Sequence, residues 1–351
     1  MGTDQNTMMA ALHDLAGQPP LNQAQLDRRL GQIATIVGIP TARARSLVAS
    51  GIVAQLLPED MFIKGGIGVK CRIGETGTRA TSDLDVASRH THATAARLTT
   101  ALDRTWGEVP ASKATLAKGP DAAPRPAFHF TVRQKRQARP AGVESRYVMV
   151  PYQVTMSFLR PGPGWASVLL EMGIDEFDGS TIAPPQVVLS DQIRAMIEAL
   201  GCGPARPVRV ISIEQQLAQK IHAVTDPAEL RGHDLVDIQL LWHHAHQTVG
   251  GIDMDTLGLL CRRTFDFRST SREQSVHPSH VWPPDPVDGE RLRAGYDTAL
   301  AEARTGLDSP LMGVEETIEG AAAWLTGVVQ RITTHRPPDS PNDDHHEGTP
   351  D

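Results

Sequence analysis

Two stretches near the N-terminus carry apolar residues at helical spacing. In Asn22–Ile39 the apolar positions fall three or four residues apart, which predicts an amphipathic helix. Pro40 interrupts this pattern, and a second helix is predicted over Thr41–Leu57, with the Thr41 side chain as its N-cap. We therefore expect a helical lobe over residues 1–58.

The middle of the chain has a different pattern, in which short apolar or alternating runs predict β-strands. The predicted strands are Met61–Ile63, Ala127–Val132, Tyr147–Phe158, Val168–Ile174 and Val208–Ile211. Thr94–Trp106 carries one apolar stripe at helical spacing and predicts a helix between the first two strands. Strands and helices that alternate along the chain favour an α/β arrangement, so residues 59–211 are the predicted core.

Helical spacing returns after the last predicted strand. The segment Ser212-Ile-Glu-Gln215 has the form of a capping box, which marks the start of a helix. Further helices are predicted over Asp253–Arg268, Gly289–Arg304 and Glu315–Thr333. Residues 212–336 are therefore predicted to form a C-terminal helical lobe. The expected fold class is α+β, bilobed, with a mixed sheet and helical lobes on either side of the core.

Composition narrows the classes of protein to consider. The 351 residues are 40% hydrophobic, which suffices for a packed core. The three cysteines lie far apart in the sequence, which argues against a disulfide framework or a zinc ribbon and suits a reducing, cytoplasmic compartment. The sequence has no signal-peptide pattern and no apolar run of membrane-spanning length, so we expect no membrane association.

The charge distribution leaves open whether the chain binds nucleic acid. The formal net charge of -7 is not typical of a nucleic-acid-binding protein. Acidic residues are concentrated in residues 337–351, a predicted disordered tail, so the rest of the chain is closer to neutral. The densest positive cluster is predicted to be a hairpin loop and is either a solvated surface or a contact for RNA phosphates. Its members are Arg133, Lys135, Arg136 and Arg139.

The stretch Met61–Ser88 holds the most specific chemical pattern. Gly65 and Gly66 follow the first predicted strand and are expected to form a turn whose backbone N–H groups can approach a phosphate. Asp83 and Asp85 lie two positions apart in a predicted strand, so their side chains point to the same face. Two adjacent carboxylates repel each other unless a cation lies between them. The pair therefore indicates either a magnesium site or a solvated strand end.

A lysine at an apolar position is a second candidate. In the helix predicted after Ser212, Lys220 lies seven residues after Ile213 and so projects from the apolar face. A lysine avoids burial unless it is paired, so this one either extends to solvent or faces an anion such as a triphosphate. Asp234 lies at the start of the next predicted helix, where it caps the helix or contributes to a site.

A Gly-Gly pair, a spacer and an Asp-x-Asp pair, with a lysine and an aspartate far downstream, resemble the AbiEii/AbiGii type of nucleotidyltransferase. The residues that carry the resemblance are Lys64-Gly65-Gly66, Arg79-x-Thr81-x-Asp83-x-Asp85, Lys220 and Arg231-x-x-Asp234-x-x-Asp237. This type belongs to the DNA polymerase β-like nucleotidyltransferase superfamily and includes MenT-type toxins. The resemblance covers about residues 62–242 and implies a polymerase β-like core.

The resemblance implies roles for individual residues. The implied catalytic residues are Asp83, Asp85, Lys220 and Asp234. The implied nucleotide-binding residues are Lys64, Gly65, Gly66, Arg72, Arg79, Thr81 and Lys220. Asp83 and Asp85 are the implied ligands of Mg²⁺ or Mn²⁺. The superfamily often places a third carboxylate on a neighbouring strand, for which Glu171 is the candidate and Asp175 the substitute.

The implied function is that of a toxin, or abortive-infection factor, that transfers a nucleoside monophosphate from a nucleoside triphosphate (NTP) to RNA. The expected acceptor is the 3′ end of a tRNA, a modification that would block translation or growth, and the expected protein partner is a cognate antitoxin. The alternatives are a small-molecule nucleotidyltransferase of the antibiotic-modifying kind and a non-catalytic nucleotide-binding regulator. The histidines in His90-x-His92 and His243-His244-x-His246 have no cysteine or glutamate partner at a zinc spacing and are interpreted as surface residues.

Overall fold

The computed structural model describes residues 2–88, 94–111, 123–138, 148–176, 183–248, 250–270, 280–305, 307 and 310–335. The helices in these ranges are α1 (Gly2–Ala16), α2 (Gln23–Val37), α3 (Thr41–Ala54), α4 (Gly65–Ile73), α5 (Thr94–Leu102), α6 (Asp191–Glu198), α7 (Ile213–Thr225), α8 (Gly232–Thr248), α9 (Met254–Thr270), α10 (Gly289–Ala303) and α11 (Ile318–Thr334). The strands are β1 (Met61–Ile63), β2 (Asp83–Ser88), β3 (Trp106–Val109), β4 (Arg125–Gln134), β5 (Val150–Phe158), β6 (Ala166–Ile174), β7 (Gln186–Val188) and β8 (Val208–Val210). The predicted α+β class, with a mixed sheet and helices before and after it, is confirmed.

The strands form one mixed sheet in the order β3-β4-β5-β6-β2-β1-β8-β7. Strand β2 pairs in parallel with β6 and antiparallel with β1, so it lies inside the sheet rather than at an edge. The register aligns Asp85 with Glu171 and Asp83 with Leu169. Because aligned residues on neighbouring strands point to the same face, this register places Asp83, Asp85 and Glu171 on one face of the sheet.

The alternation of polar and apolar residues in β2 is explained by what covers each face of the sheet. Leu84 and Val86 are fully buried in a hydrophobic cluster that joins the N-terminal helices and α6 to the sheet, and α3 packs against β2 and β6. A second cluster is formed largely by side chains of α7–α11, including Leu217 and Leu235. The carboxylates of β2 therefore face away from the first cluster, toward the C-terminal helices.

Helices α2 and α3 show how the N-terminal sequence determines local structure. The Asn22 side chain caps α2 by accepting a hydrogen bond from the Gln25 backbone N–H at 2.9 Å. The helix ends at Gly38, whose left-handed backbone (φ 74°) suits a residue without a Cβ. Among the described residues no single helix has the length and apolar character of a membrane span; α2 and α3 reach them only as a pair, bent by 105°.

Four local predictions are wrong. Arg133 does not lie in a hairpin loop but in β4, where it pairs with Gln153 of β5. Gly65 and Gly66 do not form a turn but begin α4, because Ile67 and the residues after it pack into the core and tertiary packing outweighs the low helix propensity of glycine. Trp106 is not the end of α5 but the first residue of β3. Thr41 is the first residue of α3, and the N-cap position is occupied by Pro40.

Some predictions concern residues outside the described ranges. These are the basic residue Arg139, the pair His90 and His92, and the tail over residues 337–351. The domain limits at residues 58, 211 and 336 also stay predictions. The two hydrophobic clusters are consistent with a change of packing partner near residue 211, since the first includes Val210 and the second includes Ile213.

Candidate active site

A polar cleft of about 540 Å³ brings most of the predicted site residues together. It lies where β2 and β6 meet the N-terminus of α4 and the helices α7 and α8. The predicted residues that line it are Lys64, Gly65, Gly66, Arg79, Thr81, Asp83, Asp85, Glu171, Lys220 and Asp234. Residues separated by up to 170 positions in the sequence therefore share one cleft, and Arg72 is the predicted site residue that does not line it.

Three carboxylates form the sheet side of the cleft. Burial raises the pKa of the Asp85 carboxyl, although the ammonium groups of Lys64 and Lys220 oppose this effect. Burial also raises the pKa of Glu171, and the negative charges of Asp85 and Asp83 raise it further. The predicted substitute Asp175 does not line the cleft, whereas Glu171 does. This face therefore carries negative charge that its surroundings compensate only in part.

The donor set on this face suits a hard divalent cation. Carboxylate oxygens are the ligands that Mg²⁺ prefers, and a cation between them would relieve the repulsion that raises the pKa of Glu171. Among the described residues, Asp83, Asp85 and Glu171 do not form a cluster in which three ligand atoms lie within 4.8 Å of one another. Magnesium commonly keeps several waters and binds through one or two carboxylates plus substrate phosphates. The residues present therefore fit an ion held by Asp83 and Asp85 and completed by water and substrate.

Glycine is required at positions 65 and 66 because the backbone packs closely against Asp85 and Thr81. Gly65 has a left-handed backbone (φ 61°), and a Cβ atom on it would lie 1.9 Å from Asp85 Oδ2. A Cβ atom on Gly66 would lie 2.8 Å from Thr81 Oγ1. The N-cap position of α4 is occupied by Lys64, whose side chain makes no capping hydrogen bond. The first N–H groups of α4 are thus placed beside the carboxylates, where a helix N-terminus attracts a phosphate.

Lys64 adds a positive charge to the same face. Its Nζ lies 3.2 Å from the position that a Cβ atom would take on Gly173, two residues after Glu171 in β6. Positions 171 and 173 share a face of the strand. The Lys64 ammonium therefore lies beside the carboxylates, close to the N-terminus of α4.

The helical side of the cleft is an ion-pair network centred on Lys220. Its Nζ donates to Asp234 Oδ1 at 2.5 Å and to Asp237 Oδ2 at 2.7 Å. Arg79 Nη2 donates to Asp237 Oδ2 at 3.0 Å, and Arg231 Nε donates to Asp234 Oδ2 at 2.9 Å. In the structure the buried lysine is therefore paired with two carboxylates from α8, and its predicted contact with a triphosphate stays a prediction. Two of the three ammonium donors are engaged by these carboxylates.

Electrostatics keeps this network charged. Burial alone would raise the pKa of Asp234, but the charges of Lys220 and Arg231 hold it far below its ordinary value. Burial alone would lower the pKa of Lys220, but Asp234 and Asp237 raise it above its ordinary value. The neighbouring His233 has a pKa lowered to about 4 by burial. At neutral pH the network is therefore composed of charged, mutually compensated groups beside a neutral histidine.

Arg72 supports the cleft from behind instead of lining it. Its Nε donates to Gln216 Oε1 at 2.9 Å, and its Nη2 donates to the backbone oxygen of Ile211 at 2.5 Å. Gln216 Nε2 in turn donates to the backbone oxygen of Gly65 at 3.4 Å. Burial lowers the pKa of Arg72 to about 10. The geometry thus gives Arg72 a supporting role through Gln216 rather than a place in the lining of the cleft.

Several residues of the site were not in the predicted set. Arg231 and Arg268 line the cleft, whereas Asp237 joins the ion-pair network without lining it. Asp237 and Arg231 belong to the quoted sequence pattern, and Asp237 follows Asp234 by three positions, so helical spacing could have paired them on one face. Arg268 of α9 also lines the cleft, and its Nη2 donates to Glu176 Oε1 at 2.9 Å. No local sequence signal links Arg268 to Glu176, because their contact joins residues 92 positions apart.

Comparison with known proteins places these features in context. The family model described as nucleotidyl transferase AbiEii toxin, type IV TA system, matches residues 46–323, a range that contains every residue lining the cleft. No curated protein sequence matches the chain. Among solved structures, the chain is similar to MenT4, a nucleotidyltransferase toxin from Mycobacterium tuberculosis H37Rv. The identity is 16%, the alignment covers 90% of this chain and 91% of that chain, and the TM-score is 0.46.

Proposed function

This chain belongs to the family of nucleotidyl transferase AbiEii toxins of type IV toxin–antitoxin systems, and we propose that it transfers a nucleoside monophosphate from an NTP to the 3′ end of a tRNA. The family implies an NTP substrate and an antitoxin partner. The proposed reaction is metal-dependent and takes place in the cytoplasm, where both substrates are present. Its consequence would be a block of translation that the antitoxin prevents.

One observation carries the proposal: a single cleft combines partly compensated carboxylates with groups that bind phosphate. Asp83 and Asp85 project beside the N-terminus of α4, and Lys64 lies on the same face. A triphosphate with a divalent cation needs this combination, because the cation is held by carboxylates while the phosphate oxygens accept hydrogen bonds from N–H groups and lysine.

The proposed mechanism assigns each group one task. A bound Mg²⁺ or Mn²⁺ would neutralise phosphate charge and favour the attacking hydroxylate. Asp83 and Asp85 would hold that ion, with Glu171 beside them, and the N–H groups of Gly65 and Gly66 would bind the triphosphate. The acceptor hydroxyl releases its proton to solvent and its oxygen attacks the α-phosphorus. The bond from that phosphorus to the oxygen that bridges to the β-phosphorus breaks, and pyrophosphate leaves.

The ion-pair network would position the other side of the substrate. Asp234 and Asp237 hold Lys220, and the same carboxylates fix Arg231 and Arg79 at the rim of the cleft. The third N–H donor of Lys220 is the one we assign to a phosphate oxygen. Fixing these long side chains in advance lowers the entropy cost of binding a charged substrate.

The position of the basic cluster supports an RNA acceptor. The sheet register connects Arg133 to Gln153, Gln153 to Leu169 and Leu169 to Asp83. These residues share one face and one row, and three strand spacings correspond to about 14 Å. An exposed arginine thus lies in line with the acidic pair, at a distance that a few nucleotides can span.

The proposal is tested by incubating the purified chain with each labelled NTP and total RNA. We expect label from one preferred NTP at RNA 3′ ends, and the Asp85→Asn variant should lose this transfer. The exposed carboxylate of Asp191 supplies a matched control, because Asp191→Asn makes the same chemical change away from the cleft. Transfer of label to a small hydroxyl compound instead of RNA would show that the proposed RNA acceptor is wrong. NTP binding without any transfer would favour a non-catalytic regulator.

A salt titration tests the acceptor surface separately. Replacing Arg133, Lys135 and Arg136 by serine should lower the slope of log affinity against log salt by about one per lost phosphate contact. Affinity for NTP should be unchanged, because none of the three lines the cleft. The matched control replaces the exposed Arg28, Arg262 and Arg263 by serine and alters net charge equally. Equal slopes for the two triple variants would assign the cluster to plain surface.

A further inference from the structure

A second cluster of metal-binding side chains lies outside the acidic pair, at the C-terminal end of α7. The possible ligand atoms of His222, Asp226 and His280 all lie within 4.8 Å of one another. His222 is 2% exposed and Asp226 is 1% exposed, while His280 is half-buried. Two imidazoles and one carboxylate brought together in a largely buried place are more specific than histidines scattered on a surface.

The fold brings the three residues together by two routes. His222 lies in the last turn of α7 and Asp226 is its C-cap, so the i, i+4 spacing places both on one side of the helix end. His280 comes from a distant segment, and its backbone oxygen accepts a hydrogen bond from Ser269 Oγ at 2.9 Å. The ring of Phe265 packs against both imidazoles, with centroids 4.7 Å from His222 and 4.6 Å from His280.

The hydrogen bonds around His280 define which of its nitrogens can bind a metal ion. The Thr225 hydroxyl donates to the backbone oxygen of Ile221 at 2.7 Å, so its oxygen is the acceptor of the 3.1 Å contact with His280 Nε2. Nε2 therefore carries the proton, and Nδ1 carries the lone pair. A metal-ligating histidine characteristically donates its other N–H in this way.

The carboxylate is also oriented by its surroundings. Asp226 Oδ1 accepts a hydrogen bond from the Ala228 backbone N–H at 2.9 Å. This bond fixes the plane of the carboxylate relative to His222 on the preceding turn. A ligand set held in advance loses less entropy on binding a metal ion than flexible surface side chains do.

We propose that His222, Asp226 and His280 form a second metal site, which binds a divalent transition-metal ion of the zinc class. Imidazole and carboxylate ligands suit such ions, and three protein ligands leave one position of a tetrahedral shell for water. The site would join the segment that contains His280 to the end of α7. It is distinct from the acidic face of the cleft in both its residues and its preferred metal.

The proposed site is linked to the cleft through Arg268. Arg268 Nη1 lies 3.3 Å from His222 Nδ1, which makes Nδ1 the acceptor, while its Nη2 holds Glu176 and the residue lines the cleft. A neutral imidazole that binds a metal through Nδ1 uses this lone pair, and one that binds through Nε2 carries its proton on Nδ1. In either case the Arg268–His222 hydrogen bond and metal binding exclude each other, so occupancy of the site would alter the position of Arg268.

The test is a calorimetric titration of Zn²⁺ into the full chain after removal of metals with a chelator. All proteins carry Asp83→Asn, Asp85→Asn and Glu171→Gln, so that the three carboxylates on the acidic face of the cleft contribute no charged ligands. We expect one Zn²⁺ per chain and a raised thermal midpoint. His280→Ala and Asp226→Asn should each weaken binding at least 10-fold, whereas His246→Ala, a histidine from the exposed part of α8, should leave it unchanged.

Each outcome decides the assignment. Zn²⁺ binding without a defined stoichiometry, or with equal affinity in His280→Ala and His246→Ala, would show that the proposed site is wrong. The variant Arg268→Met tests the link to the cleft, because removing the competing donor should tighten Zn²⁺ binding several-fold. Unchanged Zn²⁺ affinity in Arg268→Met would overturn the link. These readouts measure metal binding and folding, so they do not depend on nucleotidyl transfer.

Discussion

The two sides of the cleft are built from the same kinds of charged residue and have opposite electrostatic states. On the sheet side, Asp85 and Glu171 have a raised pKa because they are half-buried beside other carboxylates. On the helical side, Asp234 has a lowered pKa because Lys220 and Arg231 surround it. Asp234 is the more deeply buried group and yet has the lowered pKa, so burial does not explain the contrast. The difference is whether each carboxylate has its cation within the chain.

This difference separates a site that needs an additional cation from one that is complete. The carboxylates of the sheet side would be stabilised by a divalent ion bound between them, which is the property we expect of a metal-binding site. The carboxylates of the helical side are already neutralised by Lys220, Arg79 and Arg231, so we propose that this side holds these three cations in fixed positions for the substrate. We therefore expect substitutions on the two sides to change activity and stability in different proportions.

The largest expected effect is on activity, from Asp85→Asn. Removing a ligand that stabilises charge during the reaction should lower the rate of nucleotidyl transfer roughly 10³-fold. The fold should be retained or slightly stabilised, because a partly compensated, half-buried charge is removed. The measurement pairs initial transfer rates with thermal unfolding, using Asp191→Asn as the control. Retained activity with an undiminished magnesium requirement would show that the assignment of the sheet side is wrong.

The reverse pattern is expected from Asp234→Asn. This change leaves Lys220 and Arg231 beside a neutral amide in a buried network, and breaking such a network costs about 3–5 kcal/mol in the free energy of unfolding. Chemical denaturation of this variant and of Asp85→Asn measures the contrast directly. If both variants unfold at the same denaturant concentration as the parent chain, the two sides do not differ in the way described.

Lys220 itself shows where sequence reasoning reaches its limit. Its helical position predicts a lysine on an apolar face, which suggests that removing it relieves a burial cost. The structure reverses that expectation, because Lys220→Ala would leave the buried Asp234 and Asp237 without their shared cation. Helical spacing shows which side of its own helix a residue occupies. It does not show which residues of another helix face it.

Other parts of the site were predictable because they depend only on residues that are neighbours in the sequence, whereas the partners of Lys220 lie on another helix. The positions of Asp83 and Asp85 depend on the two-residue repeat of a strand, and the flanking Leu84 and Val86 are fully buried as that repeat requires. The cap at Ser212 was equally local, and its side chain accepts from the Gln215 N–H at 3.1 Å. The pairing of Asp85 with Glu171 required the register of strands 86 residues apart, which no local pattern encodes.

A smaller effect is expected where the Gly-Gly pair contacts the acidic side. Gly65→Ala places a side chain at a left-handed position, which costs roughly 1–2 kcal/mol. The added Cβ would also lie 1.9 Å from Asp85 Oδ2 and must displace that carboxylate, so transfer activity should fall more than stability does. The control Gly31→Ala adds the same atom inside α2, where nothing lies within 4 Å, and should slightly stabilise the chain. Equal activity in both variants would exclude the contact between Gly65 and Asp85 as a requirement.

The smallest expected effect is on the pH dependence of stability. It should distinguish the two sides of the cleft through a substitution, Asp85→Asn, that replaces one oxygen atom by nitrogen. A carboxyl group whose pKa is raised on folding binds more protons in the folded chain than in the unfolded chain, so its contribution to stability is present at low pH and is lost as pH rises through the raised value. Asp85 and Glu171 follow this sign, since the pKa of each is raised. Asp234 follows the opposite sign, and its contribution is lost only in strong acid.

Thermal unfolding between about pH 4 and pH 8, above the ordinary pKa of an aspartate, isolates the sheet side. Over this range Asp85→Asn should become more stable relative to the parent chain as pH rises, because the pKa of Asp85 is raised on folding. Magnesium should remove the difference by stabilising the parent chain, and it should have a weaker effect on the variant, which lacks one carboxylate ligand. Parallel curves for the two proteins, with the same response to magnesium, would show that Asp85 is compensated within the chain, as Asp234 is, and would remove the distinction between the two sides.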